Sequence, residues 1–481
     1  MKDKGLFLNL IKHIIMKKFV LVCFALILLV DANAQNKDDK STNALNVLNP
    51  DNVVTTNHTV TIKGNSIPYK AIAGTIPVWN DSGKITAGVF FTYYERNDIQ
   101  DRTSRPLVIS FNGGPGTPSV WMELGYTGPK MLNINEEGYP IQPYGVKENP
   151  FSLIDIADIV YVDPVNTGYS RIMGNAPKTN FFGVTADIKY LAEWISTFVT
   201  RYNRWPSPKY LFGESYGTNR VSGLALELQQ KQWMFLNGVV LVSPTILGIE
   251  RNGPVDIANR LPYYAATAWY HKVLPEDLQK KDLLELLPEV EHFTVNDLLP
   301  AIAKGGFLED AKKKEMASKM SRYSGLSEKV ILQRNLDISP SFFWKELLRD
   351  KGFTIGRLDS RYLGIDKQDG GESPDYNAEL ISWNHAFSPA MNYYLREQLN
   401  YKTDLKYFMF GPVHPWDRTN DKTGENLRLA MAQNPFLHVM TQSGYYDGAT
   451  DYFNAKYNLW QLDPSGKMKD RLSWKGYRSS T

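Results

Sequence analysis

Gly213-Glu214-Ser215-Tyr216-Gly217 sets a serine between two glycines, directly after the β-prone run Lys209-Tyr210-Leu211-Phe212 and before a helical stretch starting near Thr218. Gly-x-Ser-x-Gly in that strand-turn-helix setting lifts a serine hydroxyl clear of a sheet for attack on an acyl carbon. The glycines are needed because the turn is tight and a side chain there would strike neighbouring strands. Ser215 is the candidate nucleophile, and the backbone N–H of Tyr216 faces the oxygen on which charge would develop. A second turn, Asn112-Gly113-Gly114-Pro115-Gly116, follows the run Leu107-Val108-Ile109-Ser110-Phe111. Three glycines and a proline suit any tight turn. Upstream of a nucleophile elbow, the same loop can bring the Gly114 N–H to a scissile carbonyl and complete an oxyanion hole.

Groups that must meet to within a fraction of an ångström need a rigid platform, and the chain predicts one. Apolar runs at 107–111, 156–162, 210–212, 239–242 and 436–440 alternate with helical stretches, the pattern of a mostly parallel sheet covered on both faces. Residues 58–95 alternate in short runs such as Ala87-Gly88-Val89-Phe90-Phe91-Thr92-Tyr93, which predicts antiparallel strands at one side of the sheet. Ile188, Leu191, Ile195, Phe198 and Val199 recur at helical spacing, giving a crossover helix from whose apolar face Asp187, Lys189 and Glu193 are expected to point away. From 245 to 379 the strand pattern lapses. Leu283, Leu284, Leu286 and Leu287, then Leu298, Leu299 and Ile302, read as short helices with charged faces, expected to form a helical cap inserted into the core. The fold class is α/β, organised as a linker at 35–57, a first core segment at 58–244, the cap at 245–379 and a second core segment at 380–481.

The motifs also occur in a recognisable order. Asn112 to Gly116 with Ser119 and Gly128-Pro129, then Asp163-Pro164-Val165-Asn166-Thr167-Gly168-Tyr169-Ser170, then the Ser215 elbow, then Ser443-Gly444-Tyr445-Tyr446-Asp447 together resemble the successive signatures of the serine carboxypeptidases, over nearly all of the chain after residue 60. The resemblance implies an α/β-hydrolase fold and a C-terminal exopeptidase acting through a serine acyl-enzyme, with no cofactor and no metal. It implies Ser215 as nucleophile, Asp447 as orienting carboxylate, and the N–H groups of Gly114 and Tyr216 as oxyanion donors. Asn112 and Glu214 match the pair that binds the free carboxylate of a peptide substrate. Two carboxyl groups in contact cannot both stay ionised, so such a site shares a proton and favours binding at acidic pH.

The chain departs from the family pattern twice. Many relatives carry a glutamate two positions before Gly128-Pro129, where this sequence has Tyr126. The triad order along an α/β-hydrolase is Ser, Asp, His, yet the seven histidines, His13, His58, His271, His292, His385, His414 and His438, all precede Asp447. His438 is expected mid-strand, His414 in a loop, and His385 on the approach to a helix near Pro389, and none has the required topology. Leu472-Ser473-Trp474-Lys475-Gly476-Tyr477-Arg478 reads as the last strand leading into a histidine loop. The expectation is therefore that the histidine belongs to a tail lost by truncation beyond Thr481. Without an imidazole the serine is poorly activated, and the 481-residue chain is expected to be nearly inactive. An esterase or acyltransferase on the same scaffold, and a peptide-binding homologue without catalysis, remain as alternatives.

Composition narrows the partners. With 54 basic and 51 acidic residues the net charge is +3, too balanced to grip nucleic acid. A hydrophobic share of 43% supports one elaborated domain with a large core. Met16-Lys17-Lys18, an apolar run at 19–30 and Ala32-Asn33-Ala34 have the form of a cleaved export signal, predicting a mature start at Gln35. The run is shorter than the roughly 20 residues that span a bilayer, so no membrane partner is expected after cleavage. The single cysteine, Cys23, lies within that signal, so the mature chain has neither disulfide nor thiolate, as suits a periplasmic or secreted bacterial enzyme. No His-Glu-x-x-His cluster supports metal catalysis. The expected partner is a peptide with a free C-terminus.

Overall fold

The computed structural model describes residues 46–135, 138–249 and 253–479. The predicted export signal and Cys23 lie outside them. Two units are distinguished: Asn49–Tyr401 with Lys406–Thr481, which holds every element discussed below, and Met1–Leu48 with Lys402–Leu405.

Asn52–Ile62 (β1) and Asn65–Trp79 (β2) form a long antiparallel pair, joined by Lys63 and Gly64 at φ 50° and 80°. Two consecutive positive φ values are what a two-residue hairpin turn matching the strand twist requires. Ile85–Arg96 (β3) pairs antiparallel with β2. β1 begins inside the stretch read from sequence as linker, because its side chains alternate in exposure and give only a weak apolar signal. The rest of the sheet is built from Leu107–Phe111 (β4), Asp158–Val162 (β5), Lys209–Glu214 (β6), Gly238–Val242 (β7), His438–Gly444 (β8) and Leu472–Tyr477 (β9). The spatial order is β1-β2-β3-β5-β4-β6-β7-β8-β9, with the two-residue strand Arg171–Ile172 pairing beside β3. From β5 to β9 every pairing is parallel. All side chains of β4 and β5 are buried, as strands covered on both faces must be.

Val184–Arg201 (α1) and Gly217–Lys231 (α2) supply part of that cover. Trp194 and Phe198 of α1 meet Phe91 of β3 at ring-centroid distances of 5.7 and 5.6 Å. The sequence reading errs at Asp187. Lys189 and Glu193 are exposed as expected, but Asp187 is buried on α1, because its charge is met by Arg220 of α2 at 2.6 Å.

After β7 the chain becomes mainly helical, with Leu261–Tyr270 (α3), Leu283–Phe293 (α4) and Asp310–Ser324 (α5) packed around a hydrophobic cluster of their own. Two-residue strands, Thr354–Ile355 and Leu363–Gly364, also pair here, although this stretch was expected to be free of strands. Two residues per strand are too few to leave an alternating pattern. Ala378–Tyr393 (α6), Thr423–Gln433 (α7) and Tyr452–Leu462 (α8) follow. His385 lies within α6, which carries Pro389 in its interior, rather than on the approach to it. His438 is the exposed first residue of β8 rather than a mid-strand residue, since the apolar run from Phe436 starts before pairing does.

Candidate active site

The elbow forms where β6 meets α2. Ser215 has φ 53°, a left-handed conformation that a serine adopts only when its surroundings enforce it. The enforcement comes from packing and pairing. The Ser215 N–H donates to the carbonyl of Val242 on β7 at 3.0 Å. A Cβ on Gly213 would lie 2.3 Å from the Gly217 carbonyl oxygen, and one on Gly217 would lie 2.6 Å from that of Phe111. Both flanking glycines are thus required by contact rather than by flexibility.

Parallel pairing places Phe111 of β4 opposite Gly213 of β6, so the loop leaving β4 meets the elbow. The approach is close: a Cβ on Gly113 would lie 2.4 Å from the Tyr216 nitrogen. The segments carrying the expected oxyanion donors, Gly114 and Tyr216, are therefore neighbours. Asn112, fully buried, donates from Nδ2 to Glu214 Oε2 at 2.8 Å and accepts the Met122 N–H on Oδ1 at 2.9 Å. Burial pushes the Glu214 carboxyl up to about 7, aided by the charge of Asp447 and opposed by the hydrogen bonds from Asn112 and from the Gly113 N–H. Tyr126 stands close enough to feel the Glu214 charge; burial first, and that charge second, raise its phenol well above the usual range. A tyrosine therefore stands near Glu214 at the position where the sequence departs from the pattern it resembles.

Asp447 arrives from the next strands over. Val242 of β7 pairs with Glu214 on one side and Gln442 of β8 on the other, and Asp447 follows β8 by three residues. It is buried at 1% exposure. Its Oδ1 accepts the N–H groups of Ala449 and Thr450 at 2.9 and 3.1 Å, and its Oδ2 the Thr450 hydroxyl at 2.8 Å. The helical region packs on this loop: a Cβ on Gly448 would lie 2.2 Å from the Tyr263 hydroxyl of α3, and Gly448 donates its N–H to the Arg357 carbonyl at 2.9 Å.

Asn112, Glu214, Ser215, Tyr216 and the Gly114 loop are thus brought together, with Asp447 on the same edge of the sheet. Six histidines lie among the described residues, two of them near the site. Ser360, which His271 contacts, donates its N–H to the Tyr446 carbonyl beside Asp447, and the loop holding His414 bonds Tyr216 through Trp416. His58, on β1, bonds the Thr56 hydroxyl through Nε2 at 2.7 Å. His271, just after α3, places Nε2 2.7 Å from the Ser360 carbonyl; His385 places Nδ1 2.7 Å from the Ile381 carbonyl. His292 lies on α4, His414 is in an exposed loop, and His438 opens β8 at the end opposite Asp447. His13 lies outside the described residues.

Sequence reasoning missed the buried Asp187–Arg220 pair and the residues it touches behind the Asn112 loop. The signal was a polar residue at a core-facing helical position, which has meaning only once its partner is known.

A sequence profile of the serine carboxypeptidases matches residues 63–443. Among curated proteins, serine carboxypeptidase S10 family member 1 of Dictyostelium discoideum is 27% identical over 40% of this chain and 42% of its own length. Serine carboxypeptidase-like 13 of Arabidopsis thaliana is 22% identical over 71% of this chain and 73% of its own. The chain spans less than half the length of the Dictyostelium relative it matches. Among solved structures, a prohormone-processing carboxypeptidase from Saccharomyces cerevisiae is 17% identical, with a TM-score of 0.47 over 82% of this chain and 77% of the other. With a profile covering most of its length and the sheet order described above, the chain belongs to the serine carboxypeptidase family of α/β-hydrolases.

Proposed function

We propose that this protein is a serine-type carboxypeptidase that removes single residues from peptides with a free C-terminus. The observation that carries this reading is the Asn112–Glu214 contact at 2.8 Å, beside the Ser215 elbow, with the Glu214 carboxyl raised to about 7. Below that pH Glu214 keeps its proton and can donate it in a hydrogen bond to the terminal carboxylate of a substrate, while Asn112 supplies an amide donor. Simple ester hydrolysis requires neither group.

Ser215 Oγ attacks the scissile carbonyl carbon and loses its proton to a base. The oxyanion is met by the N–H groups of Gly114 and Tyr216. The C–N bond breaks, the leaving amino acid takes the proton, and water repeats the sequence to free the shortened peptide. Asp447 is the carboxylate that orients the imidazole. β9 ends beside the strand that leads to Asp447, Tyr477 pairing with Gly444. In a second reading the same pocket binds peptide C-termini without turnover, which the Asn112–Glu214 contact would support by itself. Export through the segment ending at Ala34, to the periplasm or the medium, completes the proposal.

The test is release of the C-terminal residue from an N-blocked dipeptide at acidic pH by protein from its native cell, with fluorophosphonate labelling in parallel. The proposal expects both activities to be lost in Ser215→Ala. Turnover that survives Ser215→Ala would overturn it; binding of the peptide without labelling would establish the second reading.

A further inference from the structure

The loop that bears the Asn112 and Gly114 groups is held from behind by one buried cation. Arg220, in the first turn of α2, is 1% exposed, and its guanidinium is divided between an acid and three carbonyls. Nε donates to Asp187 Oδ2 at 2.6 Å. One terminal nitrogen donates to the Asn112 carbonyl at 2.7 Å and more weakly to that of Gly113 at 3.4 Å; the other donates to the Pro115 carbonyl at 2.5 Å. The Gly113 carbonyl has two nearer donors, the Thr117 hydroxyl at 2.6 Å and the Thr117 N–H at 3.2 Å. Asp187 is held in turn by the Tyr190 hydroxyl at 3.1 Å, and the same hydroxyl accepts the Val165 N–H at 3.0 Å. The pair thus ties the Asn112 loop, the elbow helix and the loop starting at Asp163 to one another.

A trans peptide unit is planar, with its C=O and the following N–H pointing in opposite directions. Each held carbonyl therefore aims the next residue's N–H. The Asn112 carbonyl, held by Arg220, aims the Gly113 N–H, which donates to Glu214. The Gly113 carbonyl, held chiefly by Thr117, aims the Gly114 N–H.

We propose that Arg220, anchored by Asp187, and Thr117 are positioning residues with separate tasks: Arg220 sets the peptide plane that supports Glu214 in recognising the substrate carboxylate, and Thr117 sets the plane that offers the oxyanion N–H. The assignment of tasks rests on the reading of Ser215 and Glu214 given above. A merely structural pair would weaken the fold and change acylation and substrate affinity together.

Thr117→Val and Arg220→Lys, made in the protein as its native gene encodes it, separate these cases, with the thermal unfolding midpoint as the control for folding. Lysine keeps the charge beside Asp187 but cannot reproduce the fork that reaches two carbonyls at once. Thr117→Val is expected to slow fluorophosphonate labelling of Ser215 by about tenfold or more while changing affinity for a blocked dipeptide by less than about twofold. Arg220→Lys is expected to do the converse, weakening dipeptide affinity by about tenfold with the smaller effect on labelling. Equal losses of both quantities in both variants, or no loss in either, would overturn the proposal. A wild type that neither labels nor binds would sink the functional reading on its own account. Amide hydrogen exchange across residues 112–117 then decides the positioning: faster exchange there in both variants upholds it, and unchanged exchange refutes it.

Discussion

Glu214 exchanges its proton near neutrality because burial and the Asp447 charge outweigh two hydrogen bonds to its carboxylate. Recognition of a substrate carboxylate should follow that proton. KM for a blocked dipeptide is expected to stay low below about pH 7 and to rise as the pH passes it, since two carboxylates then repel. In Glu214→Gln, which offers an amide donor at every pH, the rise should vanish; a profile with the same inflection would assign it to another group. At this scale the sequence was informative wherever chemistry is local. Ser215 could be named a candidate because glycines and an adjoining strand fix its setting within a few residues, whereas Asn112 and Glu214 were named through the family resemblance. Asp187 was misread because a charge on a helix is expected to face water, and the cation that buries it, Arg220, lies 33 residues away. Tyr126 was visible as a departure, whereas its nearness to Glu214 depends on how the turn after Met122 winds.

The elements owe their positions to packing that single substitutions can probe. Trp194 of α1 is 1% exposed and touches Phe91 and Phe198; Trp194→Ala should destabilise the protein by about 3–5 kcal/mol in chemical denaturation. Gly217→Ala should act differently. Its new methyl would sit 2.6 Å from the Phe111 carbonyl oxygen, pushing α2 from the end of β4, so fluorophosphonate labelling is expected to be lost in protein that remains folded. Retention of full labelling would show that the elbow tolerates the shift. The parallel strands were legible because strands buried on both faces are continuously apolar, as in β4 and β5. Their exchanged order, β5-β4-β6, was not, because it depends on which strands meet through the intervening connections. That exchange is what sets Asn112 beside Glu214.

Across the whole molecule, two further acids set how stability responds to pH. Glu123 is buried and pushed up to about 8, chiefly by burial and additionally by the nearby Asp163 charge; its bonds to Tyr94 and Thr92 oppose the rise. Asp163 is likewise buried and pushed up to about 7, against the bonds it accepts from the Ser119 N–H and Tyr407 hydroxyl. Both hold protons in the folded chain that the unfolded chain releases near its ordinary carboxylate values. Their contribution to stability is therefore full below about pH 4 and is lost as the pH rises through about 7 to 8. The unfolding midpoint is expected to fall between about pH 5 and pH 8, with a shallower fall in Glu123→Gln; an unchanged slope would acquit Glu123. The central claim concerns a free terminal carboxylate and a serine nucleophile acting in one site. Its most direct test compares kcat/KM for a blocked dipeptide with that for the same dipeptide amidated at its C-terminus, using protein purified from its native cell at acidic pH. The account predicts efficient cleavage of the acid, little of the amide, and neither in Ser215→Ala; equal cleavage of acid and amide would contradict it.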